Sequence, residues 1–331
     1  MSPASPPAHT TRRDDVPRCR RLDVGDDGAV LPTDELDPVL CQEAMRQALA
    51  SPRFDGDAGQ PRGMERVVAG AATVAKVQRR VHERLDVLLE FDELRRVADV
   101  PAPALLDHGT VDKDGVSVWW TVLERARGEH GDRGAHATEL LPSRQRALAR
   151  VLRRWHTYGD AALGPRLDDP GMAGLFFGEI RARAPGAAKQ LAAELDAACR
   201  GTEMAAVHGD AAVGHNVLFQ GADVTAVLDP GAVRVAPPML CLGWAVAVDL
   251  GLGGSVDAAG AGYAASTADR ELLHRLLPLL VTRRLADMRR LGDTSAERRL
   301  GAWLRSRRPE LLDLAVAGSG SGGDGAEVGT F

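Results

Sequence analysis

The stretch AAVHGDAAVGHNVLFQGADVTAVLDP, residues 205–230, decides the fold and the chemistry together. Two apolar runs, 217–219 and 224–228, flank Gly221, Ala222 and Asp223, the pattern of two strands joined by a tight turn. His208, Gly209 and Asp210 precede this hairpin, Asn216 opens it and Asp229 closes it. A hairpin brings its two ends together, so Asn216 and Asp229 converge although thirteen positions (229 − 216) separate them. Both carry hard oxygen donors of the kind magnesium prefers. Phosphoryl transfer from ATP needs such metal ligands, a cation on the phosphate chain and a group that orients the accepting hydroxyl, and Asp210 is the candidate for that last role. Each residue alone has a blander reading: Asp229 before Pro230 can start a turn, and Asn216 can cap one. Their shared order favours metal binding.

Working upstream, ERVVAG and TVAKVQRR are two short β-branched runs about a Gly-Ala-Ala turn and predict a second hairpin, which carries Lys76. Leu85, Leu88, Leu89, Leu94 and Val97 recur with helical spacing from Arg84 to Ala98, and VPAP stops that helix. Glu90 lies on it. SVWWTVLE then reads as a buried strand in which Trp119 and Trp120 face opposite ways. Near the start, Asp37 and Pro38 predict an N-cap and first helical residue, with Val39, Leu40, Met45 and Leu49 as the apolar stripe. The glycines at 56, 59 and 63 lack phosphate-loop spacing and read as irregular loop.

The rest predicts helix: Ser143 caps RQRALARVLRRWHTYG, and helical patterns cover 172–199, 241–263, 269–291 and 295–317. A second His-Gly-Asp at 130–132 has no metal-type Asp after a hairpin at suitable spacing, so it reads as a solvated turn. The Arg pairs at 79–80, 153–154 and 283–284 read as solvated faces.

The order of His-Gly-Asp, Asn, apolar hairpin and Leu-Asp-Pro resembles the catalytic and metal-binding segments of the aminoglycoside phosphotransferase family, which also includes relatives of the fructosamine and choline kinases. The resemblance covers roughly residues 60 to 290 and is strongest from 206 to 230. It implies an α+β, bilobal protein-kinase-like fold, with a small β-rich N-lobe at 33–125 and a larger, mainly helical C-lobe at 126–317. By that resemblance Asp210 is the catalytic base or hydroxyl-orienting residue, Asn216 and Asp229 bind Mg2+, and His208 is mainly structural. Lys76 looks like the lysine that holds ATP phosphates and Glu90 like its helix-borne partner. In WTVLERARG, backbone groups near Glu124 and Ala126 would meet adenine. The implied activity is an O-phosphotransferase that uses ATP, or GTP as the alternative donor, and acts on a hydroxyl of a small molecule such as an antibiotic or sugar-containing metabolite. A fructosamine-type metabolite kinase and a nucleotide-binding regulatory pseudokinase are the alternatives. Two departures from the family pattern stand out. Asn216 follows Asp210 by six residues where five are usual, with His215 at the usual spacing, and Cys241 stands where many members have a structural Asp.

Bulk properties agree. At 331 residues the chain exceeds one ordinary core, and its net charge of -5 gives no attraction to nucleic acid while mildly favouring cationic ligands. Four cysteines without a CxxC pair indicate reduced thiols rather than a zinc site or disulfide framework. No signal-peptide core or membrane-length apolar run is present, so the expected compartment is the cytoplasm and no membrane partner is expected. Residues 1–32 and 318–331 read as loose tails.

Overall fold

Why two short strands survive in the first hundred residues is explained by the helix that covers them and the strands they join. Helix α1 (Pro38–Ala50) opens as expected, with Pro38 in the first turn and the Asp37 carboxylate accepting the Val39 N–H at 2.8 Å. Its buried face is Leu40, Cys41, Ala44, Met45, Ala48 and Leu49, the i, i+1, i+4, i+5 spacing of one helical stripe. Val39 falls outside that stripe and is 61% exposed, which corrects its assignment to the core. The stripe packs on a four-stranded antiparallel sheet ordered β1-β2-β4-β3: β1 (Val67–Ala69), β2 (Thr73–Val77), β3 (Leu105–Lys113) and β4 (Val116–Glu124). Ala75, Val77, Val118, Trp120 and Val122 complete this small core, so Trp120 is the inward tryptophan here, and Trp119 is also buried. The Asp55 carboxylate clamps the β1–β2 turn by accepting the N–H groups of Ala72 and Thr73 at 2.7 and 3.1 Å.

Strand β3 was not anticipated. Its faces alternate half-buried and exposed, and Asp107, His108 and Asp112 dilute its apolar signal. The signal that could have found it is Asp114-Gly115, whose φ values of 53° and 79° make the tight two-residue turn into β4. Helix α2 (Leu85–Ala98) matches the predicted helix.

The structure, a computed structural model, describes residues 36–56, 67–78, 85–133, 136–158, 167, 176–229 and 234–316, with the backbone alone for Val87, Glu90, Phe91, Leu94 and Glu179. The two tails, Gly59, Gly63 and the Arg pair at 79–80 lie outside these residues.

A second, larger core belongs to the helices. Helix α3 (Ala137–Tyr158) starts six residues (143 − 137) before Ser143, which therefore lies inside the helix together with Pro142 and does not cap it. Leu141 is buried there, and its packing favours helix upstream of the proline despite the lost N–H. The remaining helices are α4 (Gly178–Arg183), α5 (Pro185–Cys199), α6 (Pro238–Leu252), α7 (Val256–Tyr263), α8 (Thr267–Leu291), α9 (Thr294–Arg305) and α10 (Pro309–Val316). Three of the four predicted helical stretches are thus broken, at Pro185, at Gly253 and Gly254, and at Pro309, each where proline or glycine interrupts the ladder. Helix α6 is buried on nearly every side and packs against α8. The second hairpin is as expected: β7 (Val217–Gln220) and β8 (Asp223–Val227) pair around Gly221 and Ala222, with β5 (Glu129–His130) on the other edge of β7. A separate pair joins β6 (Ala205–Val207) to β9 (Arg234–Ala236). Among the described residues no helix is long and apolar enough to cross a membrane.

Candidate active site

Strand β6 delivers the chain into the site. After Val207, His208 is buried and Gly209 takes φ +76°, a turn that a side chain would strain. His208 Nε2 lies 2.8 Å from the Leu228 carbonyl, so that nitrogen carries the proton and Nδ1 is left to accept the Asp210 N–H at 3.3 Å. One neutral imidazole therefore fixes Asp210 and the residue before Asp229 at once. Burial holds its pKa below the ordinary histidine value, and Trp155 packs edge-on at 5.3 Å. The structural role implied for His208 matches this geometry.

The Asp210 carboxylate is held from three sides. Trp244 Nε1 donates to Oδ1 at 3.1 Å, while His215 Nε2 lies 3.0 Å and Asn216 Nδ2 3.2 Å from Oδ2. Burial pushes the Asp210 pKa up, but the hydrogen bonds from His215 and Trp244 and the charge of His215 outweigh it and leave the group below the usual carboxylate range. Asp210 is therefore an anion ready to accept a proton.

The loop also accommodates its extra residue. Ala212 and His215 exchange both backbone hydrogen bonds, at 2.9 and 3.0 Å, around Val213 and Gly214. His215 thereby reaches Asp210, and Asn216, at φ 57°, donates its amide to the Asp210 carbonyl at 3.2 Å. With Nδ2 so engaged, Asn216 Oδ1 is the oxygen left for a cation. Asp229 also sits at positive φ, 55°. Left-handed backbone in two non-glycine residues costs roughly 1–2 kcal/mol each, a strain that concentrates at functional sites.

Lys76 on β2 reaches Asp229 Oδ1 at 2.5 Å across 153 positions of sequence, and both side chains are largely buried. Glu90 lies on α2 with its side chain outside the described residues, so the Lys76–Glu90 pairing stays an expectation. At the end of β4 the Glu124 N–H is taken by the Ala104 carbonyl at 2.8 Å, whereas among the described residues the Ala126 backbone makes no hydrogen bond. Among the described residues no three His, Cys, Asp or Glu side chains form a metal cage. Two oxygen donors, Asn216 and Asp229, fit magnesium, which keeps several waters and relies on substrate phosphates.

Helix α6 supports the loop at three points, of which sequence reading singled out Cys241 but not Trp244 or Asp249. The backbone N–H groups of His208 and Gly209 point at the Cys241 sulfur, Trp244 holds Asp210, and Asp249 Oδ1 accepts the Val213 N–H at 3.0 Å. Cys241 thus fills the structural post with a weak acceptor, and burial pushes its thiol up to about 11. Burial likewise pushes Asp249 up to about 7, against the donors Gln145 and Val213. Cys41, Cys199 and Cys241 are buried, and Cys19 lies outside the described residues.

The second His-Gly-Asp is structural. His130 ends β5, the Gly131 N–H bonds to the Val213 carbonyl at 2.9 Å, and Asp132 is exposed. Buried Arg144 ties this strand down through the Gly131 and Gly221 carbonyls, at 2.7 and 2.8 Å. Arg153 and Arg154 are exposed as expected, but Arg283 and Arg284 are not on a solvated face. The Arg283 guanidinium lies 4.0 Å from the Phe176 ring and 4.2 Å from the Trp244 ring. Arginine stacks on aromatic faces without losing charge, so a run of basic letters does not report exposure.

Comparison with known proteins follows the same lines. The model of the phosphotransferase enzyme family matches residues 61–279, more than half of the chain. Among solved structures, a choline/ethanolamine kinase family protein from Mesorhizobium loti is 17% identical, covers 84% of this chain and 98% of its own, and superposes with a TM-score of 0.53, a likeness of fold. Aminoglycoside phosphotransferase APH(3'')-Id from Streptomyces rimosus is 20% identical over 64% of this chain and 87% of its own, with a TM-score of 0.44. No curated protein sequence matches the chain.

Proposed function

The chain belongs to the phosphotransferase enzyme family, and from that premise we propose that it transfers the γ-phosphate of ATP, or of GTP, to a hydroxyl of a small molecule, with Mg2+. The observation that carries this reading is the Asp210 carboxylate, held by Trp244, His215 and Asn216 and joined through His208 to the segment bearing the Lys76–Asp229 pair. Asp210 orients the acceptor hydroxyl and takes its proton as the oxygen–phosphorus bond forms, while the bond from phosphorus to the nucleoside diphosphate breaks. Lys76 would hold the phosphate chain, and Asp229, its partner in this structure, would with Asn216 hold the metal. Magnesium, when bound by Asn216 and Asp229, supplies neutralisation of the phosphate charge. The Ala126 N–H, and Glu124 beside it, are the backbone groups offered to the base.

An antibiotic or a sugar-containing metabolite is the acceptor implied by the resemblance. The Cys241 sulfur faces the N–H groups that an Asp would have received, so the substitution gives no support to a pseudokinase. Single-turnover transfer of labelled γ-phosphate, wild type against Asp210→Asn, tests the reading. Equal transfer by the two proteins, or no affinity of the wild type for magnesium nucleotide, would sink it.

A further inference from the structure

Positive charge gathers behind Trp244, the indole that holds Asp210, against the grain of a chain whose net charge is -5. A hollow between β6, β9 and α6 is bordered by Phe176, Gly209, Arg234, Cys241 and Trp244. Arg283 of α8 lies on the rings of Phe176 and Trp244, and the indole N–H of that same Trp244 holds the Asp210 carboxylate. A single indole therefore separates the Arg283 guanidinium from the candidate catalytic base. Arg284 follows, and its Nε is buried without a hydrogen-bond partner.

Stacking uses the faces of a guanidinium and leaves its five N–H donors, which lie in the plane at the edge. Among the described residues neither Arg283 nor Arg284 forms a hydrogen bond or a salt bridge to a carboxylate. Asp210 and Asp287 are the carboxylates that act on Arg283 electrostatically, while Arg234 and Arg284 act on it as like charges. Burial first, and these like charges next, hold the Arg283 pKa down to about 10. Two partly desolvated guanidiniums, Arg283 and Arg284, with in-plane donors left for a ligand are a receptor for an oxyanion, which would satisfy those donors and offset the repulsion.

We propose that the acceptor is itself an anion: a small hydroxylated carboxylate or phosphate monoester, its oxyanion on Arg283 and Arg284 and its hydroxyl directed at Asp210. This rests on the phosphotransferase reading and names the substrate class for it. A polycationic aminoglycoside would instead bring ammonium groups against three guanidiniums, Arg234, Arg283 and Arg284, a like-charge juxtaposition that selects against it.

The test uses the full chain with its nucleotide site saturated by Mg-ADP, titrated calorimetrically with a panel of hydroxy-carboxylates and sugar phosphates and, separately, with kanamycin as the cationic probe. Saturable binding of a panel anion, weakened roughly 10- to 100-fold by Arg283→Gln and restored in part by Arg283→Lys, is the expected result. Arg284→Gln, which removes a group with an unsatisfied Nε, should also weaken the anion and serves if Arg283→Gln does not fold. Binding of kanamycin in preference to every anion, absence of anion binding, or anion binding indifferent to both arginines would overturn the proposal. Failure of the wild type to bind Mg-ADP would instead remove the phosphotransferase reading beneath it.

Discussion

The two halves of the site are built on opposite plans. On the side proposed for the nucleotide, Lys76 and Asp229 are closed on each other at 2.5 Å, so the cation and the carboxylate proposed for phosphate and metal neutralise one another. On the side proposed for the acceptor, Asp210 is held by three donors, none of them a lysine or arginine, and one of these, Trp244, carries a stacked arginine on its ring. Under the proposed function the first half exchanges partners when ligand arrives, whereas the second is already in place. Preorganised groups stabilise charge as it develops without rearrangement, which is where a transferase gains most. An ion pair that opens for ligand couples binding to the approach of strand β2 and the β8 end.

The largest expected effect breaks the acceptor half alone. Asp210→Asn keeps size and shape but removes the proton acceptor, so transfer should fall about 10²- to 10⁴-fold while magnesium-nucleotide affinity stays near wild type. A fall in nucleotide affinity as large as the fall in rate would show that the halves are not separate. Next, Asp229→Ala removes a metal ligand and leaves Lys76 without this carboxylate; calorimetry should show magnesium-ATP bound roughly 10- to 100-fold more weakly. Affinity that survives in Asp229→Ala but collapses on chelation of magnesium would place the metal on other residues.

A smaller effect probes the packing behind the acceptor half. His156 is buried in α3, with Nδ1 2.9 Å from the Tyr263 hydroxyl, and burial, then the neighbouring His208, hold its pKa down to about 3. Unfolded, it protonates near the ordinary 6.5, so the unfolded chain takes up a proton that the folded chain refuses. Its contribution is whole above pH 6.5 and is lost as pH falls toward 3, with a slope of at most about 1.4 kcal/mol per pH unit. His156→Phe should flatten that slope in denaturant melts between pH 7 and 4, and an unchanged slope would remove His156 from the account. The smallest effect is Asp132→Asn, which should leave transfer unchanged because that carboxylate is exposed in a turn.

How far the letters alone reach depends on how local each signal is. The β7–β8 hairpin, α2 and the α1 cap were legible because turn residues and apolar period lie within a dozen positions. Asp210, Asn216, Asp229 and Lys76 were singled out in the same way, as residue types in a recognisable order. Two juxtapositions follow once the fold is known: Lys76 meets Asp229, and Asn216 meets Asp210. What the sequence hid were contacts made between distant elements by residues with ordinary local roles. Trp244 sits in an apolar helix and looks like core, and Arg283 looks like surface, yet they meet beside Asp210. Ser143 was misread for the converse reason, a locally sound cap overridden by the packing of Leu141. His215 was visible, but only as a failed metal ligand; its hydrogen bond to Asp210 needed the turn at Val213 and Gly214.

The three anchors on α6 carry one more implication. Cys241, Trp244 and Asp249 stand at relative azimuths of about 0°, −60° and 80° on a helix turning 100° per residue, so one face holds the amides of His208, Gly209 and Val213 and the Asp210 carboxylate between them. Loops usually exchange their amide protons quickly, because they open without disturbing anything else. These loop amides instead open only when the buried helix beneath them lets go, so they belong to its cooperative unit. A deletion of one residue in α6 would swing the whole face through about 100° and release every anchor at once, whereas an insertion at the exposed tip of the β7–β8 hairpin would touch none of them.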